Sequence, residues 1–250
     1  MIEESLDKSQ YGFRKGSSTE AALLNLINKI QENLKMGNHV LGVFLDIQGA
    51  FDNLPHWAIK KALNKTKAKG MVSDWITNMI QNRFITLKSS SSRIRRKMPK
   101  GCPQGGVLSP FLWNLVLDDL LKSLGKDDNT QAFADDISLL STGSTEYGIR
   151  TKATNTIKTI MKWCKANGLE ISTLKTKILF WTKSRKIDIK SIKIDGIEIK
   201  TSETVKYLGV TIDNKLNWNQ HITNIISKAR KTYFAVKKAI GKNGDLNQNK

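Results

Sequence analysis

The sequence predicts an α+β protein, an antiparallel sheet backed by helices, and three patterns predict it. SIKIDGIEIK, residues 191–200, alternates apolar and polar positions about Asp195–Gly196, the strongest hairpin signal in the chain. QAFADDISLL, residues 131–140, sets two short apolar runs end to end at Asp135 and Asp136. Residues 55–65, 110–124 and 151–167 carry helical patterns long enough to cover such a sheet.

In chain order, residues 17–35 come first: Ser17 and Glu20 stand at capping-box spacing, and Ala21, Leu24 and Ile27, with Leu23, Ile30 and Leu34, fall at helical intervals. Gly37 and Asn38 end that helix. HVLGVFLDI, residues 39–47, is a run rich in Val, Leu and Phe that reads as a strand buried on both faces and stopping at Asp46. A helix over about residues 55–65 starts at Pro55, whose fixed φ suits a first turn, and MVSDWITNMIQ, residues 71–81, is another helix. Residues 83–101 hold seven Lys or Arg and no acid, with a serine run suited to a hairpin tip. The helix of residues 109–124 takes Ser109 as N-cap and Pro110 as first residue, and turns Leu112, Leu115, Val116 and Leu120 inward. A helix over residues 151–168 closes at Asn167 and Gly168, KILFW at 177–181 is a strand, and from His221 the pattern is helical and basic. The last stretch, GKNGDLNQNK, reads as frayed.

Forty-one Lys and Arg against 22 Asp and Glu leave a net charge of +19, more than solubility requires, and point to a polyanionic partner such as nucleic acid or an anionic membrane. No stretch approaches the roughly 20 apolar residues of a spanning helix, and MIEESLDKSQ is too polar for a signal peptide, so a soluble intracellular protein is expected. Cys102 and Cys164 lie far apart and only three histidines occur, which argues against a disulfide framework or a structural zinc site.

Buried carboxylates need a reason, because an unpaired one costs several kcal/mol. Adjacent aspartates also suit a plain turn. If the strands ending at Asp46 and meeting at Asp135 and Asp136 are neighbours, however, three carboxylates converge and require cations. Two hard divalent ions about 3.5–4 Å apart are the usual means of in-line nucleotidyl transfer. In so basic a chain that chemistry means a polymerase or a nuclease.

FLDIQGAFDN (44–53), KGCPQGGVLSPFLWN (100–114) and FADD (133–136) together resemble the palm motifs of a reverse transcriptase of the jockey-like, non-LTR retrotransposon group. YGFRKGSSTEAAL (11–23), NGLEISTLKTKILF (167–180) and VKYLGVTIDNKLNWNQHI (205–222) continue the resemblance in family order, across about residues 10–230. It implies a polymerase palm over residues 39–202, preceded by a remnant of fingers at 1–38 and followed by a basic, thumb-like segment at 203–250, with most of the fingers missing.

The resemblance further implies that Asp46, the Ile47 carbonyl, Asp135 and Asp136 hold two Mg2+ ions, with Mn2+ as a substitute, and that Lys175 protonates the departing pyrophosphate. It assigns the incoming deoxynucleotide to Ala50, Phe51, Gln104 and Gly105, Phe51 clashing with a 2′-hydroxyl; read without it, Phe51 is as well a core ring and PQGG a turn. Arg14, Arg83, Arg93, Arg95, Arg96 and Lys97 are expected to contact nucleic acid, and Tyr207 and Trp218 fall in primer-grip-like stretches. Gln48 and Ser172 depart from the family pattern, where an acid and an Asn are common. RNA template, DNA primer and deoxynucleoside triphosphates are the implied partners, with no membrane, in the nucleus or cytoplasm as a ribonucleoprotein; oligomeric state is left open. Two other readings share these features: a truncated copy that only binds nucleic acid, and an intron maturase, whose palm is related.

Overall fold

Ser18, one residue later than the capping-box spacing suggests, caps the first helix by accepting a hydrogen bond from the Ala21 N–H at 3.1 Å. This helix, α1 (Thr19–Lys35), buries Ala22, Leu26 and Ile30. Of the expected positions Ile30 is buried, but Ala21 and Leu24 are exposed and Ile27 only half-buried, so the helix turns a different face inward. Ala22, Leu26 and Ile30 form one i, i+4, i+8 ridge, the kind of row that helices pack with. The computed structural model describes residues 5–66, 70–103, 105–125, 129–184 and 186–240; the 241–250 stretch expected to fray lies outside them. The chain divides into two compact units, Met1–Ser202 and Glu203–Lys250.

In the first unit β1 (His39–Asp46) is central, α2 (Ala50–Asn53) is a single turn, and α3 (His56–Asn64) and α4 (Met71–Gln81) follow. Pro55 occupies the cap of α3 rather than its first turn, with extended backbone. A ribbon of β2 (Phe84–Lys88) and β3 (Arg93–Lys97) turns at Ser89–Ser92, as the serine run suggests. The next helix, α5 (Leu108–Leu124), already includes Ser109, which is not its cap: the Ser109 hydroxyl donates to the Pro103 carbonyl at 2.6 Å and ties the preceding loop down. Leu112, Leu115, Val116 and Leu120 are buried as expected.

The strands β4 (Asn129–Phe133), β5 (Asp136–Gly143) and β6 (Lys177–Trp181) complete a four-stranded antiparallel sheet in the order β4-β5-β1-β6. Between β5 and β6 runs α6 (Glu146–Ala166), five residues longer at its start than the apolar pattern indicates because Thr145 caps the Gly148 N–H. Strand parity separates the two faces. Gln131, paired with Ser138, donates to the Ala22 carbonyl of α1, whereas Ser141, of opposite parity, donates to the Ile149 carbonyl of α6. Leu41, Val43, Leu45, Ile137 and Leu139 therefore join α3, α5 and α6 in the main core. On the α1 side Gly42 leaves room for Trp181, whose ring would lie 2.5 Å from a Cβ there. The hairpin of β7 (Ser191–Ile194) and β8 (Ile197–Lys200) turns through Asp195 and Gly196, both at positive φ as its sequence demands.

In the second unit β9 (Thr204–Tyr207) and β10 (Val210–Asp213) pair antiparallel, and α7 (Asn219–Ile240) follows. Burial works to raise the Asp213 carboxyl, but backbone N–H groups of Asn217, Trp218 and Lys215 donate to it and hold it below the ordinary carboxylate range. That carboxylate organises the turn that carries Trp218, itself at φ 65°, into α7.

Candidate active site

Asp46 ends β1 and Asp136 begins β5, and the two are directly paired in register. Paired residues on adjacent antiparallel strands share a face, so both carboxylates stand together at one end of the sheet. Asp135 is the second residue of the two-residue turn between β4 and β5. Ala134, the first, takes φ 56°, a position where glycine is normally preferred, and its carbonyl is held by the Trp113 indole N–H at 2.8 Å. A strained turn kept in place by a buried tryptophan projects Asp135 beyond the strand ends.

The loop after α6 docks onto the same end. The Ser172 N–H donates to the Asp46 carbonyl and the Gln48 N–H to the Glu170 carbonyl, both at 2.8 Å, forming a bridge between Ile47 and Ile171. Gln48 and Ser172 thus act here through their backbone N–H groups, which any residue but proline supplies. Ser172 also accepts the Lys175 N–H, and this turn sends the Lys175 ammonium back to Asp46, 3.3 and 3.2 Å from its two oxygens.

Burial, then the charges of Asp135 and Asp46, raise the Asp136 carboxyl to about 6, with Lys175 opposing. The Asp135 carboxyl is raised too, first by burial and further by Asp46. Carboxylates held at this cost on one sheet edge form an oxygen donor set suited to a hard cation. A lysine ammonium already stands against both Asp46 oxygens as a cation would. Among the described residues no three His, Cys, Asp or Glu side chains are drawn into one ligand shell.

Ala50 is buried and Phe51 half-buried in α2. The segment before the Gly-rich loop lies along that helix: the Gly101 N–H donates to Leu54 and the Cys102 N–H to the Phe51 carbonyl, at 2.7 and 2.8 Å. Gly101 has φ 89°, and a Cβ there would meet the Asp52 carbonyl at 2.7 Å, so only glycine permits this approach. Gly105 follows at φ 78°, exposed; Gln104 lies outside the described residues. The Phe51 ring contacts both Trp113, 5.8 Å away between centroids, and Phe13, in an edge arrangement at 6.3 Å. Phe13 drew no attention in the sequence because one aromatic in a loop has no periodicity to mark it.

The basic residues divide. The Arg83 guanidinium donates to the Gly101 carbonyl at 2.8 Å, and that of Arg14 to the carbonyls of Asp7 and Gln10, so both brace backbone. Arg93, Arg95 and Lys97 alternate with Ile94 and Arg96 on an exposed strand. Register places Lys88, Arg93, Arg95 and Lys97 with Phe84 and Thr86 on one face of the ribbon, and Ile85, Leu87, Ile94 and Arg96 on the other. Arg95 lies over the Phe84 ring at 4.0 Å. No helix among the described residues is long and apolar enough to cross a membrane.

Residues 1–212 match the reverse transcriptase (RNA-dependent DNA polymerase) family. The chain is 28% identical over 216 residues to a 115 kDa protein of the type-1 retrotransposable element R1DM of Drosophila melanogaster, covering 86% of this chain and 21% of that protein. It is 25% identical over 233 residues to the RNA-directed DNA polymerase from the mobile element jockey of the same species, covering 90% and 25%. The chain therefore spans about a quarter or less of the length of these two relatives. Among solved structures, telomerase from Candida tropicalis in complex with a TWJ fragment of telomeric RNA shares the fold at TM-score 0.58 and 14% identity, over 91% of this chain and 38% of that one. Matched over most of its length and built as an α+β sheet with paired acidic strand ends, the chain belongs to the reverse transcriptase family.

Proposed function

We propose that this chain is the polymerising palm of a non-LTR retrotransposon's RNA-directed DNA polymerase, extending a DNA primer along an RNA template with deoxynucleoside triphosphates. The observation that carries the reading is the in-register pair Asp46 and Asp136, with Asp135 in the adjoining turn. Asp46, the Ile47 carbonyl, Asp135 and Asp136 would hold two Mg2+ ions, or Mn2+ in their place, and such ions would lower the pKa of the attacking hydroxyl and neutralise charge on the triphosphate. The chain's own residues then have distinct tasks. The raised carboxyls of Asp135 and Asp136 favour a cation over continued isolation of charge. Lys175 is the counter-ion of Asp46 in this structure, and its exposed ammonium would supply the proton that the departing pyrophosphate oxygen takes up. Phe51 lies under the sugar and rejects a 2′-hydroxyl, while Ala50 and Gly105, with Gln104, border the nucleotide.

The basic face of the β2–β3 ribbon, Lys88, Arg93, Arg95 and Lys97, is the one suited to follow a phosphate backbone. Arg83 and Arg14 support that surface by fixing loops. These partners place the work inside the cell, in a ribonucleoprotein of the nucleus or cytoplasm. The test is primer extension on an RNA template with Mg2+, comparing the chain with Asp135→Ala. Extension that falls to background in the variant is expected; RNA binding with no extension in either form would leave a nucleic-acid binder instead.

A further inference from the structure

We propose that Phe13 is a positioning residue for sugar selection, holding the Phe51 ring in place together with Trp113; the inference rests on the proposed role of Phe51. Its ring is set at 89° to that of Phe51 in an edge arrangement, and Trp113 packs on the same ring at a tilt of 42°, so Phe51 contacts two aromatics at once. Trp113 is fully buried, but Phe13 is 57% exposed. An exposed ring contributes little to a core, and its backbone is strained as well, with φ 56°.

The surroundings over-determine that strained conformation. The Tyr11 N–H donates to the Ala132 carbonyl at 2.8 Å, and the Ala132 N–H to Ser9 at 2.9 Å, joining this segment to the edge of β4. Asn114 donates to the Gly12 carbonyl at 2.9 Å and accepts from Gln10 at 2.6 Å. Gly12 packs so closely on Ala134 that a Cβ would lie 2.3 Å from the Ala134 nitrogen. Arg14 closes the loop onto the Asp7 and Gln10 carbonyls. Two strained, non-glycine residues, Phe13 and Ala134, are thereby locked to each other through Gly12, one against the proposed sugar gate and one in the turn that carries Asp135. Strain kept at two positions around one site marks function rather than packing. The fixed loop sets the position of the Phe13 ring, and the ring limits how far Phe51 can yield when a ribose presses on it.

The experiment measures single-nucleotide incorporation of dATP and ATP by the full chain on an RNA template with a DNA primer, together with the melting temperature. It uses Phe51→Ala, Phe13→Gly and Phe13→Tyr. Glycine removes the ring and relieves the positive φ, so the Phe13→Gly chain should melt no lower than the original. Its kcat/KM ratio of deoxynucleotide to ribonucleotide should fall roughly 2- to 10-fold, the range an aromatic pair supplies, and Phe13→Tyr should restore it. A ratio that drops in Phe51→Ala but is unchanged in Phe13→Gly overturns the inference alone. So does a Phe13→Gly chain that melts lower with the ratio preserved. A ratio unchanged in Phe51→Ala, or no incorporation by the original chain, overturns the reading beneath it and the inference with it.

Discussion

Lys175 has two demands on one ammonium. It lies against Asp46 with the lysine side chain open to solvent, a pairing of the kind worth about 0–1 kcal/mol, so the proposed divalent cation would displace it at little cost. Replacing Lys175 with Ala should therefore leave the melting temperature almost unchanged yet lower kcat by about 10²-fold, as loss of a general acid does. Single-turnover extension of a primer checks this, and a variant with full kcat would return Lys175 to the role of a surface counter-ion. The carboxylates it faces were conspicuous in the sequence because FADD interrupts an apolar run. Phe13 was not, since its importance lies in a φ value and in the ring it touches, neither of which a local pattern encodes.

The β2–β3 ribbon shows what a single element adds to a charge run. In sequence, residues 83–101 show only seven Lys or Arg and no acid, with nothing to separate one face from the other. Pairing Leu87 with Ile94 and Thr86 with Arg95 sorts the same residues into a cationic face and a largely apolar one. Changing Lys88, Arg93, Arg95 and Lys97 together to Gln should reduce the slope of log K against log salt for a single-stranded RNA by about 3, since each phosphate that a cationic side chain neutralises adds roughly 0.7 to it. Arg96→Gln, on the other face, should leave the slope unaltered. Equal effects from the two variants would mean that the ribbon acts only as a diffuse charge. Element boundaries were legible where turn chemistry is specific, as at Asp195–Gly196, and slipped where two candidates stood side by side, as at Ser17 and Ser18.

Across the whole molecule the three aspartates come from segments about ninety residues apart, and only the β1–β5 register joins them. Binding that is confined to the folded state stabilises it, by about 2.7 kcal/mol at a hundredfold excess over Kd. Mg2+ should accordingly raise the melting temperature of the chain, and should not do so in an Asp46→Asn, Asp136→Asn double variant. An equal rise in both would place the ion elsewhere. By itself the sequence determined the class of fold, most helices and hairpins, the +19 charge and the identity of the acidic residues, because periodicity, turn chemistry and composition act over a few neighbouring positions. Tertiary structure alone decided which face of α1 is buried, which cations share a face, that Lys175 reaches Asp46 and that Phe13 meets Phe51. Those outcomes depend on the pairing of distant strands and on which way a helix turns about its axis, and their competing arrangements differ by too little locally to be told apart before the chain packs.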